Sequence, residues 1–496
     1  MIQQTDTGIK IQFREVRETM MTTVDNKKMF IGGEWIEKES TIEVHDPQDN
    51  EVIATVPRAN ETDMLKAINV AKDGAETAAK MPVHERMEIL HRAADFVKHY
   101  KHLYAITIAS EGSKTITEAQ GEVDRCIETL RISAEETRRI HGETIPFDQM
   151  PGHENRIGYF YRFPIGVVGA ITPFNDPLNL VAHKIGPAIA SGNSIVVKPA
   201  TLTPLSALLL AEAFEAAGLP DKVLSVVTGK GSEIGDALVT HPAVRMISFT
   251  GGLETGTDIA HKAGLKKLSM ELGSNSPTIV LKDADIKEAV DSCVSGSYGA
   301  VGQNCIGVQR IFIERPVYDE FMEQFANLSK QYTTGDKKLA ATKMGPLISE
   351  QEAIRVEGTV AEAVANGATL LTGGKRQGAY YEATVLADVP RHARIVKEEI
   401  FGPVVMLFPV DSLDEAIEKA NDVEYGLQAG IFTRDTKLAF QAIQSLNVGG
   451  VMVNDSSDYR IDGMPFGGVK GSGLGREGVS SSIQEMTEPK VVQFKL

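Results

Sequence analysis

No stretch of this 496-residue sequence carries the about eighteen consecutive apolar residues that a membrane-crossing helix needs. Its polar, mixed-charge beginning also lacks the apolar core of a secretory leader, so the cytoplasm is the expected compartment. Cysteine is scarce: Cys126, Cys293 and Cys305 are the only three, and none stands in a C-x-x-C pair. An odd number of thiols favours a reducing compartment over a disulfide framework. The 11 histidines are scattered, without H-x-x-x-H or a Cys/His cluster, so no metal site is expected. Positive charge is in deficit: the formal net charge of -16 removes the basic stripe that a nucleic-acid partner would require. No internal repeat or low-complexity tract is present, which excludes a solenoid. What remains is a globular composition in a chain too long for one core, so two or three domains are expected. Residues 1–21, ending in the doublet Met20-Met21, read as an N-terminal extension.

Hydrophobic periodicity predicts helices over 64–80, 84–110 and 121–140. From Gly166 the pattern changes to short apolar runs such as Val167-Val168-Gly169-Ala170-Ile171 and Ile195-Val196-Val197, alternating with helical segments. That alternation predicts βαβ units and a parallel, doubly wound α/β sheet. A second alternating block begins near Ile279-Val280 and includes Ile311-Phe312-Ile313, Val404-Val405-Met406-Leu407 and Ala429-Gly430-Ile431-Phe432. The stretches 155–163 and 490–495 alternate in polarity and read as solvated strands outside both cores.

Three residues could carry chemistry. Cys305, in Gly302-Gln303-Asn304-Cys305-Ile306-Gly307, lies in a glycine-flanked turn and is the strongest nucleophile type in the chain. Taken alone, a cysteine is more often a structural one, as Cys126 inside a helix should be. Glu271 ends an apolar-leaning stretch before a glycine turn, where a carboxylate could serve as general base on water. Asn175, between Pro173 and Pro177, follows a parallel strand on the side where such sheets hold ligands, and its amide could stabilise an oxyanion. Two glycine loops, Gly229-x-Gly231 and Gly251 to Gly256, each follow a strand and precede a helix, as a pyrophosphate site requires, though neither is a G-x-G-x-x-G.

Together with Lys198-Pro199-Ala200, Phe249-Thr250-Gly251, Glu271-Leu272-Gly273, Glu399-Ile400-Phe401-Gly402-Pro403 and Pro465-Phe466-Gly467-Gly468, these motifs stand in a recognisable order. From about Phe30 to Leu496 the chain resembles the aldehyde dehydrogenase superfamily. The resemblance implies a dinucleotide-binding domain (22–138 and 162–272), a catalytic domain (273–470) and an oligomerisation arm (139–161 and 480–496). It implies a homo-oligomer, dimer or tetramer, with NAD or NADP as cofactor. It also implies that Cys305 attacks the aldehyde, that Asn175 and the Cys305 N–H hold the oxyanion, and that Glu271 activates water on the thioester. Lys198 and Glu399 would bind ribose hydroxyls, Phe401 the nicotinamide side, and Gly231, Gly251 and Gly256 would border the cofactor.

Departures from the family pattern bear on specificity. Thr201 stands where members that prefer NAD often have a glutamate, so NADP is permitted. Arg125, Asp176 and Arg460 occupy substrate-side positions, with Asn304 beside the nucleophile. Arg125 and Arg460 are expected to clamp an anionic group bidentately, and Asp176 suggests a hydroxyl on the same substrate. Local pairing competes with the clamp: Arg125 could pair with Glu122 or Glu128, and Arg460 with Asp458 or Asp462. The expected substrate is a small phospho-, phosphono- or sulfo-aldehyde, with lactaldehyde or succinic semialdehyde as alternatives. A CoA-acylating reaction is a further alternative, disfavoured by Glu271.

Overall fold

Apolar runs without alternation need cover on both faces, and the intervening helices supply it. In the computed structural model, which describes residues 25–496, the first large sheet takes its earliest strands from β1 (Met29–Ile31) and β2 (Glu34–Ile36). Four helices follow: α1 (Glu61–Lys80), α2 (Val83–His99), α3 (Lys101–Glu111) and α4 (Ile116–Thr137). Next come β3 (Glu143–Ile145), β4 (Arg156–Pro164), β5 (Val167–Ile171), α5 (Asn179–Ala190), β6 (Ser194–Lys198) and α6 (Leu205–Ala216). The first unit continues through β7 (Leu224–Val226), α7 (Gly231–Thr240), β8 (Val244–Thr250), α8 (Leu253–Ala263) and β9 (Lys267–Glu271).

The second unit holds β10 (Pro277–Val280), α9 (Ile286–Tyr298), β11 (Arg310–Glu314), β12 (Thr369–Thr372), β13 (Thr384–Ala387), β14 (Val404–Val410), β15 (Gln428–Phe432) and β16 (Gly450–Val453). They form a seven-stranded sheet in the order β12-β13-β14-β11-β10-β15-β16. The chain then returns to the first unit with β17 (Gly473–Leu474), and ends with α10 (Val479–Glu485) and β18 (Thr487–Lys495). The first sheet has eight strands in the order β17-β9-β8-β5-β6-β7-β1-β2, and its central strands are parallel.

The expected extension over residues 1–21 lies outside the described residues. Elsewhere the elements differ from expectation in two places. The helix expected over 84–110 is two helices, broken at Tyr100 (φ -100, ψ 24). The break re-aims α3 so that the Tyr104 hydroxyl donates to the Leu209 carbonyl on α6 at 2.7 Å. The stretch expected as an arm, 139–161 with 480–496, is divided between a small sheet and a helix. β18, β4 and β3 form its sheet, and β4 runs on to Pro164 because Thr487 pairs with it there. α10, within that expected range, packs mainly on α5 and α4 of the first unit and also touches β18. No helix among the described residues is long and apolar enough to cross a membrane.

Candidate active site

Strand register collects the first set of side chains. Ile171 lies beside Lys198 and Phe249, and Thr250 lies beside Glu271. The carboxyl ends of β5, β6, β8 and β9 thus share the edge at which doubly wound sheets hold ligands. β5 runs straight on into Pro173-Phe174-Asn175, so Asn175 stands on that edge too.

Cys305 arrives from the second unit on a strained turn. Ala300, Val301 and Gly302 have φ of 48°, 60° and 69°, in the left-handed region. A β-branched valine there costs about 1–2 kcal/mol and needs its surroundings to hold it. Three contacts do so. The Ala300 N–H donates to Glu118 at 2.8 Å, the Ile348 N–H donates to the Gln303 side chain at 3.0 Å, and a Cβ on Gly302 would meet the Gly402 carbonyl at 2.3 Å. The resulting thiol is half-buried, whereas Cys126 and Cys293 are fully buried. Burial pushes the Cys305 thiol up, with Arg460 opposing and the charges of Glu271, Glu399 and Asp176 adding to it. Without substrate and cofactor the group therefore rests as a thiol. Asn175 donates one amide proton to the Gln303 carbonyl at 3.0 Å. Its second amide proton remains for another acceptor. The Cys305 N–H has no acceptor among the described residues. Asn175 and Cys305 line one cavity, so these two donors are available to an oxyanion formed there.

Glu271 is 1% exposed, and neither carboxylate oxygen has a hydrogen-bond partner. Burial, then the neighbouring charge of Glu477, holds its carboxyl well above the usual range; Lys184, Arg460 and Arg476 pull the other way. Such a group rests protonated and becomes a base only when a proton leaves.

A cavity of about 470 Å³ joins Cys305, Glu271, Asn175, Asn304, Arg125, Asp176 and Arg460. The two arginines do not take the local partners that their spacing suggested. Arg125 bonds Asp462 through Nη2 at 2.9 Å and Nε at 3.3 Å, and reaches Asp176 with Nη1 at 3.3 Å. Arg460 gives Nη2 to Glu477 at 2.9 Å and lies over the Phe466 ring at 3.8 Å. Glu122, three residues from Arg125, instead accepts from Lys114 and from the first N–H groups of α5, where a carboxylate suits the helix dipole. Arg125 remains 34% exposed at its side chain, and the buried Arg460 Nε has no partner.

Several of these residues escape sequence reasoning. Lys114 bridges Glu122 and Asp176. Lys184 and Glu477 form a fully enclosed pair at 2.5 Å. Asp462, held by Arg125, also meets His183 at 2.8 Å and Asn179 at 3.0 Å. Lys184 did carry a signal, as the one formally charged residue in the mostly apolar helix Asn179–Ala190.

The expected cofactor residues gather on the same sheet edge. Burial lowers the Lys198 ammonium to about 8, and its Nζ reaches only Thr201 Oγ1 at 3.3 Å. Thr201 spends its own proton on the Gly229 carbonyl at 3.2 Å, so it meets a ligand as part of the Lys198 pair. Gly231 opens α7 within reach of the Lys198 ammonium. α8 begins after Gly251 and Gly252 with no side chain capping its N–H groups. At Gly251 and Gly256 a Cβ would strike Phe249 and Leu272, so backbone lies bare at the mouth of that helix. Glu399, raised to about 7 by burial, accepts from the Ser274 N–H at 2.8 Å. Phe401 meets Phe174 edge to face at 5.8 Å, tying the 399–402 loop to the strand that carries Asn175. A desolvated ammonium, two uncapped helix starts and a buried carboxylate fit a dinucleotide with its ribose hydroxyls and pyrophosphate.

Residues 35–492 match the model of the aldehyde dehydrogenase family. Aspartate-semialdehyde dehydrogenase 1 of Pseudomonas canavaninivorans is 50% identical over 454 residues, covering 92% of this chain and 96% of that protein. The 3-sulfolactaldehyde dehydrogenase of Priestia aryabhattai is 44% identical over 96% of this chain and 100% of its own length. The structure of glyceraldehyde-3-phosphate dehydrogenase from Methanocaldococcus jannaschii, complexed with NADP, superposes with a TM-score of 0.89 at 40% identity, over 93% of this chain and 100% of that one. The chain belongs to the aldehyde dehydrogenase family, and it is an NAD(P)-dependent oxidoreductase acting on a small aldehyde.

Proposed function

We propose that the protein oxidises a short aldehyde bearing an anionic head group, and releases the free carboxylic acid. Cys305 attacks the carbonyl carbon after its proton leaves, forming a thiohemiacetal. The free amide proton of Asn175 and the Cys305 N–H hold the oxygen that becomes negative. A bound NAD(P)+ supplies the hydride acceptor. Glu271, once ionised, takes a proton from water as that water attacks the thioester on Cys305, and the acid leaves with the sulfur restored. The presence of this carboxylate favours water over CoA as the acyl acceptor. Lys198, Thr201 and Glu399 would hold the cofactor's ribose hydroxyls, with the α8 start and Gly251 beside its pyrophosphate.

The anionic head group is supported by one observation above all. The Arg460 side chain lines the cavity, and its Nε is buried with no partner, although the other end of that guanidinium is paired. An oxyanion delivered there would complete a charge-assisted bond that the protein itself leaves open. Arg125 offers a second, more exposed guanidinium in the same cavity. Arg460→Ala should therefore lower kcat/KM for sulfolactaldehyde or glyceraldehyde 3-phosphate by about 10- to 100-fold, the worth of such a bond, while lactaldehyde loses far less. Equal losses on charged and neutral aldehydes would refute the clamp.

The reading extends to a cytoplasmic homo-oligomer built through the arm. Ile157, Tyr159, Tyr161 and Phe494 leave an apolar surface exposed on one face of β4 and β18. Tyr159→Glu with Phe494→Lys should shift the mass by light scattering toward the monomer. An unchanged mass would remove the arm from the interface.

A further inference from the structure

The cavity holds more carboxyl groups than cationic ones. Six carboxylates line it against three cationic side chains. All but one of the six have an identified partner or task. Asp176 is bound by Lys114 and Arg125, and Glu122 by Lys114 and the start of α5. Glu477 is held between Lys184 and Arg460. Glu118 accepts from the Thr115 and Ala300 N–H groups. Glu271 is the proposed base. Asp458 is the exception: it accepts only from the Asn304 side-chain amide and forms no ion pair among the described residues.

Asp458 cannot easily turn away. A Cβ on Gly296 would lie 2.9 Å from the Asp458 Cβ, so its stem is pressed against α9. On either side, Gln428 donates to the Ser457 and Tyr459 carbonyls at 2.8 and 3.1 Å, and Ser457 donates to the Ile306 carbonyl at 2.8 Å. The carboxylate is thus fixed beside Asn304, which adjoins Cys305, on the cavity that also holds Arg125. We propose that Asp458 receives an ammonium group of the substrate, so that the preferred aldehyde is a zwitterionic amino-acid semialdehyde.

The charge inventory favours ammonium over hydroxyl. A hydroxyl can donate a hydrogen bond to this carboxyl but does nothing for its ionised form; an ammonium donates and also stabilises the charge that the surroundings disfavour. The carboxyl is raised to about 8, first by burial and then, against the opposing Arg125, by Asp176, Asp455 and Glu118. A cation arriving there relieves that repulsion. The placement also separates the two charges of a zwitterion, with an anionic end toward Arg125 or Arg460 and a cationic substituent toward Asp458. This inference rests on the anionic-aldehyde reading for the carboxylate end only.

Four aldehydes make the test: propionaldehyde, 3-aminopropionaldehyde, succinic semialdehyde and aspartate semialdehyde. They form a square in which ammonium and carboxylate are added separately. In the unaltered enzyme the ammonium should raise kcat/KM at least about tenfold along both edges, the size of one charge-assisted bond. In Asp458→Asn that ratio should fall to about one, because the amide keeps the shape and loses the charge. A ratio near one in the unaltered enzyme, or a ratio that survives in Asp458→Asn, would overturn the proposal. So would 2-hydroxy-4-oxobutanoate, the hydroxy counterpart of aspartate semialdehyde, if it matched the amino compound. The carboxylate edges report separately on the anionic-aldehyde reading. If they are flat while the ammonium edges are steep, that reading fails and the role of Asp458 stands.

Discussion

Glu271→Gln should leave an enzyme that turns over once. Mixing it with substrate and cofactor should give a burst close to one NAD(P)H per active site, followed by a steady rate about 10²- to 10⁴-fold below normal, the usual worth of a general base. Quench experiments should find the acyl group on Cys305. Cys305→Ala should abolish the burst as well, since no thioester can form. The separation arises because the two residues serve different halves of the reaction, although they line one cavity. The pH dependence carries the same signature. Burial holds the Glu271 carboxyl above its ordinary range, so the base form is scarce at low pH and grows as pH rises. Turnover should climb with pH, with its midpoint displaced upward from that of an ordinary glutamate. The Gln variant should lack that limb. Full turnover without Glu271, or a limb that persists in the variant, would assign the base elsewhere.

Lys184→Met should be the most destabilising single change near the site. Lys184 and Glu477 are each 1% exposed and only 2.5 Å apart. Removing one member of such a pair leaves a buried charge, at a cost of about 3–5 kcal/mol. Arg460 still touches Glu477, so the loss should fall toward the lower end. Urea unfolding followed by fluorescence should show the midpoint move down. Adding Glu477→Gln should recover part of the shift, because an amide carries no charge to strand. A midpoint unmoved by Lys184→Met would mean that water or rearrangement replaces the ammonium.

Much of the fold was legible because its strands are short apolar runs. Val167–Ile171 and Ser194–Lys198 could hardly be anything else between helices of that length. The break at Tyr100 was not legible, because apolar periodicity runs through it from Val97 to Tyr104 and Ile108. The candidate site divides the same way. Asn175, Glu271 and Lys198 stand at strand ends, where a local reading suffices. The charge pairs do not: Arg125 meets Asp462, and Lys184 meets Glu477, only after the chain has folded back across hundreds of residues. Spacing arguments reward near neighbours, which is why Glu122 and Asp458 were natural partners for the two arginines and why neither is. The left-handed Val301 was equally hidden, since valine is among the residues least suited to that conformation.

The bonds of Arg125 have a bearing on how such an enzyme could change its diet. The guanidinium that faces the cavity also secures Asp462, which in turn steadies His183 and Asn179 in the interior. A lineage that exchanged Arg125 for an apolar residue to welcome a neutral aldehyde would at once strand an acid inside its own scaffold. Drift toward a new substrate at this position therefore runs through paired replacements, with Asp462 altered first or together with it. Arg460, stacked on Phe466 and bonded to Glu477, is bound by the same kind of debt. Asp458 is not: no cation of the protein depends on it, so it is the position at which selection can retune preference one residue at a time.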